Sequence, residues 1–485
     1  MPGLIPTLLR PAGDAMQRGV VLAADSEPLI ALATRLRTQG SWEAIVVDAD
    51  GQTIGLLTAE DLLHRALFVL GPDQSVGRAL ARRTPTCRPS DPLYLVLARM
   101  RRDRLPAVAV VDAQRRPLGI VGRDASALPV EALFGALARA ANWQEAHEMP
   151  VAKAAQAELA AALLSLGESA TAILDLISTM NGELMREVLL QSLTAMAHDG
   201  WGVPPVEFAM IVMGSVGRHE SLLRPDQDNG FILADYPDSE HGRIDPFFIE
   251  LAERLTRNLA SVGFPLCAGN VMATNPLWRK SLSQWRAQIS QWARSRSNTA
   301  ILLADIFFDF RVVCGAVKLA EQLRDHVTEI VRGNVAFLVQ MAWMKAQRSA
   351  SVGLFGRLFA DDGERADAVD LKLRGTLPLT NVVRLLALKE GIALPGTLDR
   401  LVGLRDTGVL TDEDASRWRA DFELMEELLL RRQIQDVAAG RPASNLIDPN
   451  ELERRQRRAL IETLRHVDRI VSIFLRDRLG PVPVG

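Results

Sequence analysis

The chain has 485 residues, which at about 100–200 residues per domain predicts roughly three domains and excludes a single small disulfide-stapled module. Hydrophobic residues make up 48% and charged residues 24%, a composition typical of folded globular proteins. The 56 Lys and Arg residues nearly balance the 59 Asp and Glu residues, and the net charge of −3 provides no broad basic surface for DNA or RNA.

The cysteines and the hydropathy pattern indicate a cytoplasmic protein. Cys87, Cys267 and Cys314 are far apart and odd in number, and they form no CxxC pair, which is typical of a reducing compartment. The N-terminus lacks the apolar core of about 7–15 residues that a signal peptide needs. No uncharged apolar stretch reaches the ~18 residues that span a bilayer, so we expect no membrane partner.

An internal repeat occupies the first quarter of the chain. The segment AIVVDADGQTIGLLTAED (residues 44–61) aligns with VAVVDAQRRPLGIVGRDA (residues 108–125) without gaps. Each copy predicts a strand, a turn, a second strand and the start of a helix. Amphipathic helical patterns starting at Leu29 and at Leu93 precede the two copies.

The repeat, its length and the closing pattern Gly55-x-x-Thr58-x-x-Asp61 resemble the CBS module, which occurs in tandem. The resemblance implies a β-α-β-β-α pair in which that Thr and Asp hold an adenine nucleotide. The second copy carries Gly122 and Ala125 at the matching positions, so at most one good nucleotide site is expected, at the first copy. The alternative is that Thr58 and Asp61 only cap the following helix.

The pattern changes twice in the rest of the chain. Residues 133–197 carry apolar positions at a spacing of 3.6, which predicts a helical connector. FAMIVM (208–213) and GFILA (230–234) predict two short buried strands joined by a polar turn. After Asp361 the pattern is again helical.

The polar turn contains Gly214-Ser215 and Asp226-x-Asp228. A Gly-Ser turn after a strand lets backbone N–H groups approach phosphates closely, and the hydroxyl adds a donor. Aspartates at i and i+2 beside a strand share one face, and their carboxylates repel unless a cation lies between them. Because Mg²⁺ and Mn²⁺ prefer oxygen ligands, the pattern predicts a metal and triphosphate site. The alternative is an ordinary polar turn.

The runs GSVGRHES (214–221), DQDN (226–229) and PLCAGNVMA (265–273) resemble the nucleotidyltransferase superfamily that includes DNA polymerase beta and the PII uridylyltransferases. They are more closely similar to bacterial signalling proteins that place paired CBS modules before a uridylyltransferase-like domain. The resemblance implies a third carboxylate on a later strand. FFDFRVVCG offers Asp309, expected on one strand face with Arg311.

The resemblance also implies roles for these residues. Asp226, Asp228 and Asp309 are expected to hold two metal ions, and Asp309 to help deprotonate the acceptor hydroxyl while pyrophosphate leaves. Gly214 and Ser215 are expected to orient the β- and γ-phosphates.

Basic residues complete the expected site. Arg218 is expected to neutralise charge on the leaving group. The C-terminal helical part resembles the substrate-binding domain of the same family, in which Lys372, Arg384 and Arg400 are candidates to contact the nucleotide. The alternative is that these three residues lie on solvated helix faces.

We therefore predict a multidomain α/β protein. Its predicted parts are a tandem CBS regulatory module (1–130), a helical linker with the N-terminal helices of the transferase (131–200), a polymerase-beta-type nucleotidyltransferase core with a mixed sheet (201–330) and an all-helical substrate-binding domain (331–480). The predicted function is metal-dependent transfer of NMP from an NTP to an acceptor hydroxyl, such as a Tyr of a PII-like protein, under adenine-nucleotide control. The alternative is a non-catalytic nucleotide-sensing protein that acts through partner binding. A homodimer is expected by resemblance to CBS pairs.

Overall fold

The computed structural model divides the chain into two compact units, Met1–Asn142 and Trp143–Gly485. The structure describes residues 4–62, 70–80, 86–103, 105–122, 131–141, 143, 146–294, 298–332, 334, 336–338, 340–341 and 368–471. Within these ranges, no helix has both the length and the apolar character that crossing a bilayer would require.

The first unit contains two three-stranded sheets of identical topology. The strands are β1 Val21–Ala24, β2 Glu43–Val47, β3 Thr53–Thr58, β4 Thr86–Cys87, β5 Ala107–Val111 and β6 Pro117–Gly122. In each sheet the first strand pairs in parallel with the second, which pairs antiparallel with the third. The helices are α1 Leu4–Leu9, α2 Ala12–Ala15, α3 Leu29–Gln39, α4 Ala59–Asp61, α5 Val76–Ala79, α6 Leu93–Arg102 and α7 Glu131–Ala140. The predicted repeat is therefore a structural repeat.

The two halves share turn chemistry and a core. The side chains of Asp48 and Asp112 each accept hydrogen bonds from the backbone N–H groups two and four residues ahead, at 2.8–3.0 Å. The Thr53 N–H donates to the Arg115 carbonyl at 2.8 Å, which links one half to the other. Apolar side chains from both sheets form one buried cluster, made of Ile45, Leu56, Ala107, Ala109 and Ile120.

Gly119 lies where two backbones approach closely. The N–H of Ile120 donates to the Gln17 carbonyl at 3.0 Å, and a Cβ added to Gly119 would lie 2.5 Å from that carbonyl oxygen. We expect Gly119→Ala to lower the free energy of local opening around β6 by roughly 1–3 kcal/mol, because backbone must move to relieve the contact. Native-state hydrogen exchange of the full chain measures this change.

The control for this substitution is on the same strand. A Cβ added to Gly122 meets no described atom within 4 Å. Gly122→Ala should therefore leave the protection of β6 unchanged. Equal protection in the two variants would contradict the close approach at Gly119.

A four-stranded mixed sheet forms the core of the second unit. Its strands are β7 Phe208–Val212, β8 Asn229–Leu233, β9 Arg279–Ser281 and β10 Arg311–Gly315, in the order β10-β7-β8-β9. β10 and β8 pair antiparallel with β7, and β9 pairs in parallel with β8. All residues of β7 and β8 are buried, which confirms the two predicted buried strands.

Helices surround this sheet and make up most of the C-terminal part. They are α8 Met149–Ser165, α9 Ala170–His198, α10 Gly214–Gly217, α11 His241–Val262, α12 Leu282–Arg294, α13 Asn298–Phe307, α14 Val317–Arg332, α15 Leu377–Glu390, α16 Thr397–Asp406, α17 Asp412–Ala438 and α18 Arg454–Arg469. Side-chain caps start the two longest helices: Ser169 accepts from the N–H of Ala172, and Thr411 from the N–H of Asp414.

The described residues of the C-terminal part include a short antiparallel strand pair, which the all-helical expectation did not contain. It is formed by β11 Val369–Asp370 and β12 Leu446–Ile447, and β11 is followed by a π-helical turn at Lys372–Thr376. The N–H of Leu371 continues the pairing by donating to the Asn445 carbonyl at 3.0 Å. The pairing fixes where the Lys372 turn begins.

Candidate phosphate and metal site

The predicted Gly-Ser turn and Asp pair lie against each other. α10 begins directly after β7, and the N–H of Met213 donates to the Asp228 carbonyl at 2.9 Å. Gly214 has φ +59°, and a Cβ there would lie 2.6 Å from Asp228 Oδ2. Only glycine permits both this backbone conformation and this close carboxylate.

Asp226 and Asp228 lie on an extended segment that leads into β8. Asp226 is exposed and Asp228 half-buried, whereas Gln227 between them is fully buried and donates to the Phe264 carbonyl at 2.9 Å. The side chains therefore alternate, and the predicted common side of the two aspartates is confirmed.

Desolvation and nearby charges shift the pKa values of Asp226 and Asp228. Although Asp226 is exposed, partial desolvation raises its pKa, and the positive charge of Lys372 opposes this rise. Burial also raises the pKa of Asp228, to which the charge of Asp226 contributes. A hydrogen bond from the Cys267 thiol and the charges of Lys372 and Arg218 act in the opposite direction. Both carboxylates therefore gain from a nearby cation.

The pair fits one hard divalent cation. Mg²⁺ commonly binds one or two carboxylates and completes its shell with water and substrate phosphates, and Asp226 and Asp228 provide such a set. Among the described residues, no group of three or more His, Cys, Asp or Glu side chains is arranged to hold a metal. The three-carboxylate set that the resemblance implies is therefore not assembled in this part of the chain.

Asp309 is placed differently from the prediction. β10 begins at Arg311, so Asp309 lies in the preceding turn and not on a strand face. Its carboxylate is fully buried. Oδ1 accepts from Arg384 Nε at 2.9 Å and from Arg400 Nη1 at 2.8 Å. Oδ2 accepts from Arg218 Nη1 at 2.7 Å and from Arg384 Nη2.

These contacts form a charge-balanced group that we call the arginine cluster. It comprises Arg218, Arg384 and Arg400 with Glu220, Asp305 and Asp309. Burial alone would raise the pKa of Asp309, but the three guanidinium groups outweigh it and hold that pKa well below its usual range. An aspartate in this state is a poor proton acceptor, and its oxygens are already occupied.

The basic residues that were predicted to contact the nucleotide are instead mostly partners in this cluster. Arg218 donates to Glu220 at 2.5 Å as well as to Asp309, and Arg384 pairs with Asp305 as well as with Asp309. These arginines are buried in the structural cluster and do not lie on solvated helix faces. Of the predicted C-terminal cations, Lys372 is the one whose charge acts on both members of the aspartate pair.

Two further residues hold the carboxylate loop, the segment between α10 and β8 that contains Leu223 and Asp226. Neither residue was among the predicted site residues. Lys153 on α8 is buried and donates to the Leu223 carbonyl at 2.8 Å, and burial lowers its pKa to about 7. Gln433 on α17 accepts from the Leu223 N–H at 3.1 Å. Leu223 precedes Asp226 by three residues, so the loop is held from both sides. The sequence signal for Lys153 is that it is the one basic residue of α8.

In the first unit, Thr58 and Asp61 form a capping box. The Thr58 hydroxyl donates to Asp61 Oδ2 at 2.8 Å and accepts from the Asp61 N–H at 3.0 Å, and the Thr58 N–H donates to Asp61 Oδ2 at 3.1 Å. Thr58 and Asp61 therefore cap the following helix, as the alternative predicted, and their role in binding an adenine nucleotide stays a prediction. Gly122 ends β6, and Ala125 lies outside the described residues.

Comparison with protein families matches four segments of the chain. CBS-domain models match residues 12–68 and 76–125, and the family described as "Putative nucleotidyltransferase DUF294" matches residues 154–299. The family described as "Putative nucleotidyltransferase substrate binding domain" matches residues 335–476. A search of curated proteins found no match.

Several solved structures are similar to about a quarter of this chain. An uncharacterised conserved protein from Pyrococcus horikoshii is 19% identical, with 26% of this chain and 97% of that chain covered and a TM-score of 0.23. A CBS domain protein from Pyrobaculum aerophilum, complexed with AMP, is 18% identical, with coverages of 24% and 92% and a TM-score of 0.23. A CBS-domain protein from Agrobacterium tumefaciens is 24% identical, with coverages of 23% and 84% and a TM-score of 0.21.

The family matches define this chain as one that joins CBS domains to DUF294-type segments. In particular, a tandem CBS pair precedes a segment of the family described as "Putative nucleotidyltransferase DUF294" and a segment of the substrate-binding family that is described with it. The DUF294 match includes the Gly214-Ser215 turn and the Asp226–Asp228 pair, and the substrate-binding match includes Lys372.

Removing the charge of Asp309 tests the arginine cluster. We expect Asp309→Asn to lower the free energy of unfolding at neutral pH by about 3–5 kcal/mol, since three buried guanidinium groups lose their shared counter-charge. The folded pKa of Asp309 is depressed, so its stabilisation is present above the unfolded-state value of about 3.9 and is lost as the pH falls through the folded value. Urea unfolding followed by circular dichroism measures the effect.

The control is an exposed ion pair. Asp406 pairs with Arg405 at 2.8 Å at the surface. Asp406→Asn should not change the unfolding midpoint measurably, because solvent screens this pair. If Asp309→Asn unfolds at the wild-type urea concentration, the cluster does not stabilise the second unit.

Proposed function

We propose that the second unit transfers a nucleoside monophosphate from an NTP to an acceptor hydroxyl in a metal-dependent reaction. We propose further that an adenine nucleotide bound to the CBS pair regulates the transfer. The observation that supports this function best is the contact between Gly214 and the Asp228 carboxylate, with Asp226 on the same side. It brings a backbone turn suited to phosphates next to a carboxylate pair suited to a cation.

In this proposal some residues bind the cation and others bind the phosphates. Asp226 and Asp228 would hold Mg²⁺ or Mn²⁺, which when bound neutralises triphosphate charge and stabilises the leaving pyrophosphate. The backbone of Gly214 and the N–H and hydroxyl groups of Ser215 would hold phosphate oxygens. Lys372, whose charge already acts on both aspartates, would offset negative charge as the triphosphate enters.

Asp309 takes no part in proton transfer in this proposal. Its carboxylate accepts from three guanidinium groups, two of which come from α15 and α16 of the substrate-binding part. We assign it to holding these helices against the core. The acceptor hydroxyl, for which a Tyr of a PII-like protein is one candidate, therefore loses its proton to another group or to water.

The occupied state of the Asp309 carboxylate favours one alternative function. A site that binds a nucleotide and a metal, and that has no free third carboxylate among the described residues, suits a nucleotide-sensing protein that acts through partners. Incubation with each α-labelled NTP, Mg²⁺ or Mn²⁺ and host lysate distinguishes the two. Label transferred to an acceptor supports the transferase, and metal-dependent binding without transfer supports the sensor.

Replacing both members of the aspartate pair tests the metal site. We expect Asp226→Ala/Asp228→Ala to abolish the Mg²⁺-dependent part of NTP binding, because the cation loses its protein ligands. The fold should persist, since one carboxylate is exposed and the other is half-buried. Calorimetric titration with a non-hydrolysable NTP, with and without Mg²⁺, measures this change.

A matched control lies beyond the other end of β8. Asp238 is an exposed aspartate after the strand, and Asp238→Ala should bind as the wild type does. Mg²⁺-dependent affinity that survives in the double variant would refute the assignment of the pair.

The CBS part of the proposal predicts one AMP site per chain, at the first copy. In the Asp226→Ala/Asp228→Ala background, Asp61→Ala should weaken AMP binding by about tenfold or more, as expected when a buried hydrogen bond to a ligand is lost. Calorimetric titration of the full chain measures stoichiometry and affinity together. Asp50→Ala, which removes an exposed carboxylate from the same unit, is the control. Two equivalent sites, or equal affinities in both variants, would contradict the prediction.

A further inference from the structure

Glu426 is a buried carboxyl group that the proposed reaction does not use. It lies on α17 and is 5% exposed. Its Oε2 atom makes no hydrogen bond with any residue in the described part of the chain. An unpaired buried polar atom costs free energy, and a hydrogen bond to a group that enters the pocket from outside the chain would offset this cost.

The side chain faces a pocket of about 90 Å³ that adjoins the proposed phosphate turn. One water needs roughly 10–15 Å³, so the pocket admits several water-sized groups, the scale of a phosphoryl group and not of a nucleoside. Its lining contains many hydrogen-bond donors, including Ser215 of the Gly-Ser turn, Lys372, Thr376 and Thr380. This chemistry suits an anion.

The charges around Glu426 determine its protonation. The charged groups that face this pocket from the surrounding elements are Arg218, Glu220, Arg224 and Lys372. Burial and then the negative charge of Glu220 raise the pKa of Glu426 to about 8, and the positive charges of Arg218 and Lys372 oppose this rise. Glu220 itself is satisfied, since it accepts from Arg218 and from the Thr397 N–H. At neutral pH Glu426 therefore carries a proton and can donate a hydrogen bond.

We propose that Glu426 is a phosphate-binding residue, whose carboxylic acid donates a hydrogen bond to a terminal phosphate oxygen of the bound triphosphate. The inference rests on the proposed function and adds to it a phosphoryl subsite formed by α17 of the substrate-binding part. The bound phosphate is an acceptor only, so it pairs with the protonated acid and repels the carboxylate. Binding is therefore coupled to proton uptake.

The test compares the pH dependence of binding in three full-length proteins: the wild type, Glu426→Gln and Glu427→Gln. The probes are a non-hydrolysable NTP and inorganic tripolyphosphate, each with Mg²⁺, titrated calorimetrically at pH 7 and pH 9. Glu427 is the matched control, because it is the next residue on α17 but its side chain is 41% exposed and pairs with Arg431. Lys153, which also titrates near neutral pH, is common to all three proteins, so the differences isolate Glu426.

The wild type should bind both probes about tenfold more weakly at pH 9 than at pH 7 through this one proton. Glu426→Gln, whose amide still donates, should keep the pH 7 affinity and lose this tenfold decrease. Glu427→Gln should match the wild type. As a measurement that needs no variant, titration in buffers of different ionisation enthalpy should show uptake of about half a proton per site at pH 8.

Several results would overturn the inference. A Glu426→Gln protein with the wild-type pH profile, or wild-type binding without proton uptake, would refute the role of Glu426 and leave the proposed function intact. Failure of the wild type to bind either probe would refute both.

Discussion

Asp309 and the three guanidinium groups that surround it are the interaction on which the second unit depends. The carboxylate lies in the turn before β10 and accepts hydrogen bonds from helices α15 and α16, so one buried anion joins the sheet core of the second unit to these C-terminal helices. Two charges alone would gain little from such burial, because desolvation opposes their attraction. Here every carboxylate oxygen of Asp309 accepts from two donors, and Glu220 and Asp305 balance the remaining positive charge. The cluster therefore carries no net charge, and its hydrogen bonds fix how α15 and α16 dock on the sheet core.

This balance determines which charges act on the neighbouring site. Since the cluster contains three positive and three negative groups, it contributes little net field beyond its own volume. Outside the cluster, the charge that an entering triphosphate meets comes mainly from the aspartate pair, Lys372, Arg224 and Glu426. Three of these groups attract the phosphates only after a cation or a proton has bound.

Local sequence patterns predicted local features well, and features that depend on helix docking were not predictable. The alternation of Asp226, Gln227 and Asp228 follows from the extended backbone alone, and the repeat specifies both sheets of the first unit. The ion pairs of Asp309 with Arg384 and Arg400 join residues 75 and 91 positions apart, a relation that no local pattern contains. Likewise, Glu426 and Glu427 are chemically identical in the sequence, and only the docking of α17 buries the first and leaves the side chain of the second partly exposed.

The two contacts that hold Leu223 have a consequence for folding. Lys153 and Gln433, which bind its carbonyl and its N–H, are 70 and 210 residues away along the chain. Contacts between such distant segments form slowly, because a long loop must close before they stabilise anything. The carboxylate loop can therefore reach its final conformation only after α17 has been synthesised and has docked. A chain still on the ribosome that has already formed the four-stranded sheet would lack the final arrangement of Asp226 and Asp228.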